Sequence, residues 1–293
     1  MYFFLRILRK LRLLKYFKGR FELSLENKNF EIPVLNGIGM DHFPASEPWM
    51  SECIKRLLPM KVGNFVDVGV NIGQTLLKLR SLSDCEYVGF EPNQNCIEYV
   101  HALIQSNHLN HLTIVPYGIS DRDEEGLLHA YFDQSTDSSA SLIATFRPES
   151  KVMHTTQVSL IGPQTLLGYL QKPVAIIKID VEGFEWFVIK GLEQIIARDR
   201  PFLLVEILPV YDASGTDRLE RQQQIERLLM QNKYVIFRIL KNADDSFHQF
   251  ERIEKIGIHS DLKFCEYLIA PAESEIHIVH SATAIDDLIF KSQ

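Results

Sequence analysis

From residue 62 onward the chain alternates between short apolar runs of strand character and segments with helical periodicity. VGNFVDVGV is followed by TLLKLRSL, EYVGFEP by CIEYVHALIQ, and VAIIKID by FEWFVIKGLEQIIA. FLLVEI is followed by a polar helical stretch over 217–231 and then by YVIFRIL. Such alternation predicts an α/β fold, a mostly parallel sheet with helices on both faces. A third strand is expected over HLTIVPYGIS, with strand-like pieces at LLHAYF and TTQVSLI around a Ser-rich loop, and a short helix at TLLGYL. FCEYLIA and IHIVH are weaker strand candidates near the end. Upstream, Phe21, Leu23 and Leu25, then Phe30, Ile32 and Val34, alternate with polar residues about Asn27 and Lys28, a hairpin signal. Residues 47–59 read as a helix ending at Pro59.

A length of 293 residues accommodates one large domain or two small ones. The order of the motifs favours one domain over 21–293: a hairpin and helix at 21–60, a core at 61–210 and a C-terminal part at 211–293. Residues 1–20 stand apart. They hold seven basic side chains and no acid, which leaves 24 basic against 38 acidic side chains for the rest, a net charge of −14. Wound as a helix, Phe4, Ile7, Leu8, Leu11 and Leu14 share one side, imperfectly, because Lys15 and Lys18 intrude. Two partners suit such a segment: an anionic membrane surface or the acidic body of the same protein. The charge of the body argues against a nucleic-acid partner. No uncharged apolar run is long enough to span a bilayer and no secretory leader is legible, so the expected location is cytoplasmic, peripheral on the membrane if the arm binds it. The four cysteines form no paired ligand motif and read as reduced thiols.

In sheets of this kind ligands bind outside the carboxyl ends of the strands, so the residues that end each strand carry the chemistry. The first strand ends in Asp67, Gly69, Asn71 and Gly73. Glycines there permit a tight turn and close approach of a ligand to the backbone, and the following helix start offers free N–H groups; the same spacing also occurs as plain turn chemistry. Asn71 stands where a dinucleotide fingerprint needs its second glycine, which disfavours a nicotinamide-dependent oxidoreductase. Asp67 would repel a pyrophosphate but suits an ammonium group. Glu91, followed by Pro92 and Asn93, ends the second strand and suits a ribose diol; a solvated carboxylate is the plainer alternative. Asp121, after the third strand, has two readings: an acceptor for an adenine amino group, or a cap on the following turn. An adenosine joined to an amino acid without phosphate, S-adenosylmethionine, fits the three strand ends together.

The fourth strand runs into IIKIDVEGFEWFVIKG, where Lys178, Asp180, Glu182 and Glu185 crowd one junction. Extended backbone would turn Lys178, Asp180 and Glu182 to one face. The fifth strand ends in Glu206, expected beside Asp180. Among the histidines, which include His42, His129 and His259, His154 is the spare base candidate.

Taken in order, DVGVNIGQT, FEPN, GISD, IKIDVEGFEWFVIKG and LLVEI resemble the FkbM-type methyltransferases over roughly residues 20–210. The resemblance implies the class I methyltransferase fold, a Rossmann-like seven-stranded sheet with one antiparallel strand. It also implies methyl transfer from S-adenosylmethionine, mostly to hydroxyl oxygens of sugars, glycans or polyketides. Asp67, Gly69, Asn71 and Gly73 match the family's first cofactor motif, Glu91 its ribose acid, and Asp180, Glu182 and Gly183 its fourth motif beside the methyl group. Val70 replaces the small residue usual in the first motif. The expected catalytic group is Asp180, as general base or orienter, helped by Glu206 or Glu182. A divalent cation on Asp180 and Glu206 is the less favoured mechanism, and a cofactor-binding platform without turnover is the rival function. The acceptor is expected to be a hydroxyl-bearing saccharide, lipid-linked if the arm sits on a membrane.

Overall fold

The computed structural model describes residues 18–43, 45–132, 135–147, 149–212 and 215–278. Most of the basic N-terminal arm therefore lies outside the described residues. Its last three residues, Lys18–Arg20, are not helical: they open strand β1 (Lys18–Leu25), which pairs with β2 (Lys28–Leu35) through the two-residue turn Glu26-Asn27. The apolar side of this hairpin is fastened to the main body. Leu23, Phe30 and Ile32 pack with Ile72, Leu77, Tyr99 and Leu103 in a small core of their own, and the Tyr99 hydroxyl donates to the Pro33 carbonyl at 2.9 Å. Helix α1 (Pro48–Leu57) follows, with Pro48 in its first turn, and continues as a 3-10 turn to Met60.

The alternating part then builds β3 (Asn64–Val68), α2 (Gln74–Leu82), β4 (Tyr87–Phe90), α3 (Gln94–Asn107) and β5 (Leu112–Val115). An insertion holds β6 (Gly118–Ile119), β7 (Glu124–Ala130), β8 (His154–Ile161) and α4 (Pro163–Tyr169). The chain returns to the sheet through β9 (Val174–Ile179), α5 (Glu185–Gly191), α6 (Glu193–Asp199), β10 (Phe202–Glu206), α7 (Thr216–Gln231), β11 (Tyr234–Lys241), β12 (Phe247–Ile253) and β13 (Glu266–Pro271). The strand order is β12-β11-β13-β10-β9-β3-β4-β5. Succession runs outward from β3 to β5, then restarts at β9 on the other side of β3. That reversal opens a crevice at the carboxyl ends of β3 and β9. Residues of each strand alternate between two apolar layers. Val66, Val68, Ile177, Ile179, Leu203 and Val205 face one, and Phe65, Ile176, Phe202 and Leu204 face the other.

The order and directions are those of the class I methyltransferase sheet, with one strand more than the family resemblance implies. β13 runs antiparallel between β10 and β11, and β12 adds an eighth, edge strand antiparallel to β11. The apolar residues of β12, Phe247, Phe250 and Ile253, are three apart, a spacing that conceals a strand, and the ladder slips in register at Leu240/Lys241. Three further expectations are corrected. HLTIVPYGIS is two strands in two sheets: Pro116 lacks an N–H, Tyr117 N–H turns back to Val115 O at 2.9 Å, and β6 joins a separate three-stranded sheet, β6-β8-β7. FEWFVIKGLEQIIA breaks at Gly191-Leu192 into α5 and α6. The candidate strand IHIVH is helical over its described residues, 276–278. Among the described residues no helix is long and apolar enough to cross a membrane.

Ile32 is fully buried where the hairpin meets α3. Ile32→Ala should cost about 2–5 kcal/mol of unfolding free energy, read from the urea midpoint; a loss below about 0.5 kcal/mol would mean the hairpin is an appendage.

Candidate active site

One pocket occupies the crevice. Its floor is made by Gly69, Val70 and Asn71 after β3. Glu91, Pro92 and Asn93 line it after β4, Gly118 and Ile119 from β6, and Asp180, Val181 and Glu182 after β9. Strand chemistry alone explains why the polar residues gather here: each apolar strand ends at this edge, and its first uncovered positions can face solvent or ligand.

The floor depends on a close approach of two backbones. Gly69 has φ +84° and a Cβ there would lie 2.0 Å from the Asp180 carbonyl oxygen, so both the conformation and the space require glycine. Gly73, at φ 85°, caps the start of α2, whose first-turn N–H groups are free of intrahelical partners. Val70 is buried against Gly89, whose missing side chain makes room for it.

Lys178 is buried and lines the pocket beside this floor. Its ammonium donates to Gly69 O at 2.9 Å and stands 3.4 Å from Asp67 Oδ1 and 3.4 Å from Asp180 Oδ2. Burial alone would lower its pKa; the carboxylates of Asp67 and Asp180, with Glu47 beyond them, outweigh that and raise it, so it stays cationic. Asp67 is completely buried, receives the Tyr87 hydroxyl at 2.7 Å, and does not line the pocket. Its expected contact with a ligand ammonium is therefore corrected: the carboxylate lies under the floor and is engaged by Lys178 and Tyr87. Burial pushes its pKa up against the pull of those two partners.

Glu91 does line the pocket. Its two oxygens accept the backbone N–H groups of Asn71 and Asn93, each at 2.8 Å, which ties the ends of β3 and β4 together. Burial raises its pKa to about 7 despite those two hydrogen bonds. Asn93 also lines the pocket, but its side chain is committed to capping α3, accepting from Asn95 N–H at 3.0 Å, and to donating to Ser135 O at 2.9 Å. Asp121 lies outside the pocket, 3.4 Å from the Ser120 hydroxyl and 3.9 Å from Arg122. The reason is the turn at Pro116, which sends the chain into the second sheet before Asp121 is reached. The pocket wall on that side comes instead from Leu128, Asp137, Ser138, Ala140 and Leu142 of the insertion. The Asp137 carboxylate is spent internally, on Tyr131, Phe132 and Ser139 N–H groups and the Ser139 hydroxyl.

On the β9 side Asp180 lines the pocket with its side chain about one-third exposed, at 37%. Glu206 ends β10, the strand beside β9, where Val205 pairs with Ile179, and its Oε1 faces the Cys265 thiol at 3.6 Å. Glu206 itself is behind Asp180 and does not line the pocket. Burial first, then the charges of Asp180 and Glu182, hold its pKa well above the ordinary carboxyl range. Glu182 takes a left-handed conformation, φ 51°, so it leaves the extended line of Lys178 and Asp180 and turns toward the insertion. There Arg147 donates to it at 2.9 Å, while burial and Asp180 raise its pKa to about 7. Glu185 is buried, accepts Gly183 N–H at 2.7 Å, and is likewise raised to about 7, mainly by burial.

Sequence reasoning missed Arg147 and Phe146, which clasp the fourth-strand motif from 35 residues away. Phe146 packs its ring against Gly183, and Arg218 donates to the Phe146 carbonyl at 2.7 Å. No local signal marks these residues, because the insertion has no period to read. His154 is exposed at the start of β8 and does not line the pocket. Among the described residues the one group spaced to hold a metal ion is Glu206, Cys265 and Glu266, without Asp180; their ligand atoms lie within 4.8 Å of one another. All three have raised pKa values, chiefly through burial, and Lys241 already pairs with Glu266 at 2.8 Å. Ligands whose burial disfavours the ionised form, with an ammonium already paired to one of them, make a poor cation site.

S-adenosylmethionine fits the pocket on these observations: the Gly69 floor admits a ligand against bare backbone, and each Glu91 oxygen keeps a lone pair beyond its single N–H donor. The comparisons agree. The profile of the methyltransferase FkbM domain matches residues 67–242. No curated protein matches the sequence significantly. Among solved structures, FkbM methyltransferase from Methylobacillus flagellatus KT is similar at 15% identity and a TM-score of 0.42, over 71% of this chain and 43% of that one. This chain thus spans less than half the length of that protein. Precorrin-6y C5,15-methyltransferase from Geobacter metallireducens GS-15 is similar at 11% identity and a TM-score of 0.39, over 78% and 93% of the two chains. An rRNA methylase from Streptococcus thermophilus is similar at 10% identity and a TM-score of 0.40, over 75% and 90%. These likenesses are too distant to bear on the acceptor. The family match covers more than half of the sequence and includes the floor, the Glu91 position and the Asp180–Glu206 edge: the chain belongs to the FkbM family of S-adenosylmethionine-dependent methyltransferases.

Proposed function

We propose that this protein methylates a hydroxyl oxygen of a saccharide or related polyol. The observation that carries the reading is the Asp180 carboxylate, set on the pocket wall 3.4 Å from the Lys178 ammonium and next to the half-buried Glu206 at the end of the neighbouring strand. S-adenosylmethionine, when bound, supplies an electrophilic methyl group on a sulfonium. A sugar hydroxyl is a weak nucleophile with a weakly acidic proton, so the protein must align it and accept that proton as the new C–O bond forms. Asp180 does both in this reading. Lys178 fixes its carboxylate, and the Glu206 carboxyl group orients it from the side. Glu182, paired with Arg147 across the pocket mouth, is a second hydrogen-bonding group for a polyol. Glu91 binds the ribose hydroxyls, and the Gly69–Gly73 turn receives the amino-acid end. A lipid-linked saccharide remains the acceptor form suited to the basic segment at residues 1–20 if that segment lies on an anionic membrane.

The reading is tested with labelled S-adenosylmethionine and a panel of saccharide acceptors. A transferred methyl that resists mild alkali is an ether on a hydroxyl; a base-labile methyl ester would overturn the assignment. Asp180→Asn should lower turnover about 10²-fold or more while S-adenosylhomocysteine binds nearly as before. Turnover within a few-fold of the parent would remove Asp180 from the chemistry.

The Glu91 carboxylate, raised to about 7, gives the pocket a pH signature. Ribose hydroxyls donate to the ionised form and so lower its pKa on binding, which releases a proton. Affinity for S-adenosylhomocysteine, measured by calorimetry, should therefore fall as pH drops from 8 to 6. The Glu91-dependent part of that slope should vanish in Glu91→Gln, which should also bind more weakly at pH 8. An unchanged slope in the variant would show that another group controls it.

A further inference from the structure

The sequence assigns the ligand ammonium to Asp67, and the structure removes Asp67 from the pocket. The pocket end over β3 and β9 then needs another anion, because the amino-acid part of the cofactor carries both an ammonium and a carboxylate. Gly69 O accepts Lys178, and Asp67 is fully buried, with Oδ2 on the Tyr87 hydroxyl and Oδ1 3.4 Å from Lys178 without a hydrogen bond of its own; Asp180 Oδ2 faces Lys178, and the open side of that carboxylate is the one read above as facing the acceptor.

Glu47 is the carboxylate left at this end. It lines the pocket together with Gln74 and Thr75 of the α2 start, and its charge reaches Lys178. It stands outside the matched family domain, on the residue before α1. Its backbone is left-handed, φ 52° and ψ 57°, immediately before Pro48, a conformation disfavoured for a residue with a Cβ and more so before proline. The side chain does not repay this by capping α1. It reaches instead to Lys78 of α2, whose ammonium is buried at 4% exposure and meets Glu47 Oε2 at 2.9 Å. Among the described residues Oε1 takes no hydrogen bond, and the side chain as a whole is 38% exposed. Lys78 thus holds one carboxylate oxygen, while the other takes no hydrogen bond in a pocket that Gln74 and Thr75 of the α2 start also line.

We propose that Glu47 is the residue that recognises the ammonium of the methyl donor, with the donor's carboxylate directed to the first turn of α2. This rests on the S-adenosylmethionine reading of the pocket. The N-terminal part of the chain then completes the cofactor site, and ligand affinity depends on α1 being seated on α2.

The test compares two ligands by calorimetry on the full chain. S-adenosylhomocysteine carries the amino-acid group; 5′-methylthioadenosine shares the adenosine and sulfur but lacks it. Glu47→Gln keeps an oxygen for Lys78 and removes the charge. It should weaken S-adenosylhomocysteine about tenfold or more and leave 5′-methylthioadenosine within about twofold, which also certifies that the variant pocket is folded. Equal losses for both ligands, or no loss for S-adenosylhomocysteine, would overturn the assignment of Glu47 while leaving the cofactor reading intact. A parent protein that binds neither ligand would overturn both.

Discussion

The buried ammonium of Lys178 is the contact on which the rest of the site depends. It joins three pieces from two strands: Asp67 on β3, the Gly69 carbonyl in the turn after it, and Asp180 after β9. These are the two strands where the order of the sheet reverses, so without a tie the crevice would have a polar, unsatisfied floor. Removing one partner of such a buried pair typically costs about 3–5 kcal/mol because the other charge is left uncompensated. The arrangement is possible because Gly69 has no side chain to hold the two turns apart, and because Tyr87 supplies a hydroxyl to the second Asp67 oxygen. The result is a bare stretch of backbone on which a ligand can lie, with the Asp67 carboxylate hidden below it.

Above that floor the balance of charge reverses. Asp180, Glu182, Glu185, Glu206 and Glu266 stand along the edge of β9, β10 and β13, and the cations that answer them are fewer and mostly peripheral. Burial first, and neighbouring carboxylates after it, raise Glu182 and Glu185 to about 7 and push Glu206 and Glu266 upward as well. Their folded-state pKa values lie above the unfolded ones, so the folded protein binds their protons more tightly. Stability is then lost as pH rises from the unfolded carboxyl range through about 7. Nothing in the packing of the sheet calls for so many carboxyl groups at one edge. A site that must hold hydroxyl groups and receive a proton has use for both ionised and neutral acids side by side, one to accept and one to donate.

Much of the frame was legible in the chain. The β-branched runs at 64–68, 174–179 and 202–206 and the helical segments between them fix an α/β sheet, because period and apolar continuity are properties of local sequence. The hairpin about residues 26–27 was legible for the same reason. Glu91, Asp180 and the Gly69–Gly73 turn were found because each ends a readable strand. The β12 strand escaped because its apolar residues are three apart, and the split at Pro116 escaped because a continuous apolar run masks a change of sheet.

The sequence by itself determined the architecture and the strand edge at which the pocket opens, with Glu91 and Asp180 in its lining. Tertiary structure alone decided which carboxylates reach the pocket. Asp67 and Lys178 lie on the same side of adjacent strands and pair there, with Asp67 kept out of the pocket and Lys178 at its edge, a pairing set by the parallel register of β3 and β9. Glu47, Arg147 and the wall of the insertion enter from segments far away in the chain. Their positions follow from how α1 and the insertion pack on the sheet, and no periodicity in the intervening residues records that packing.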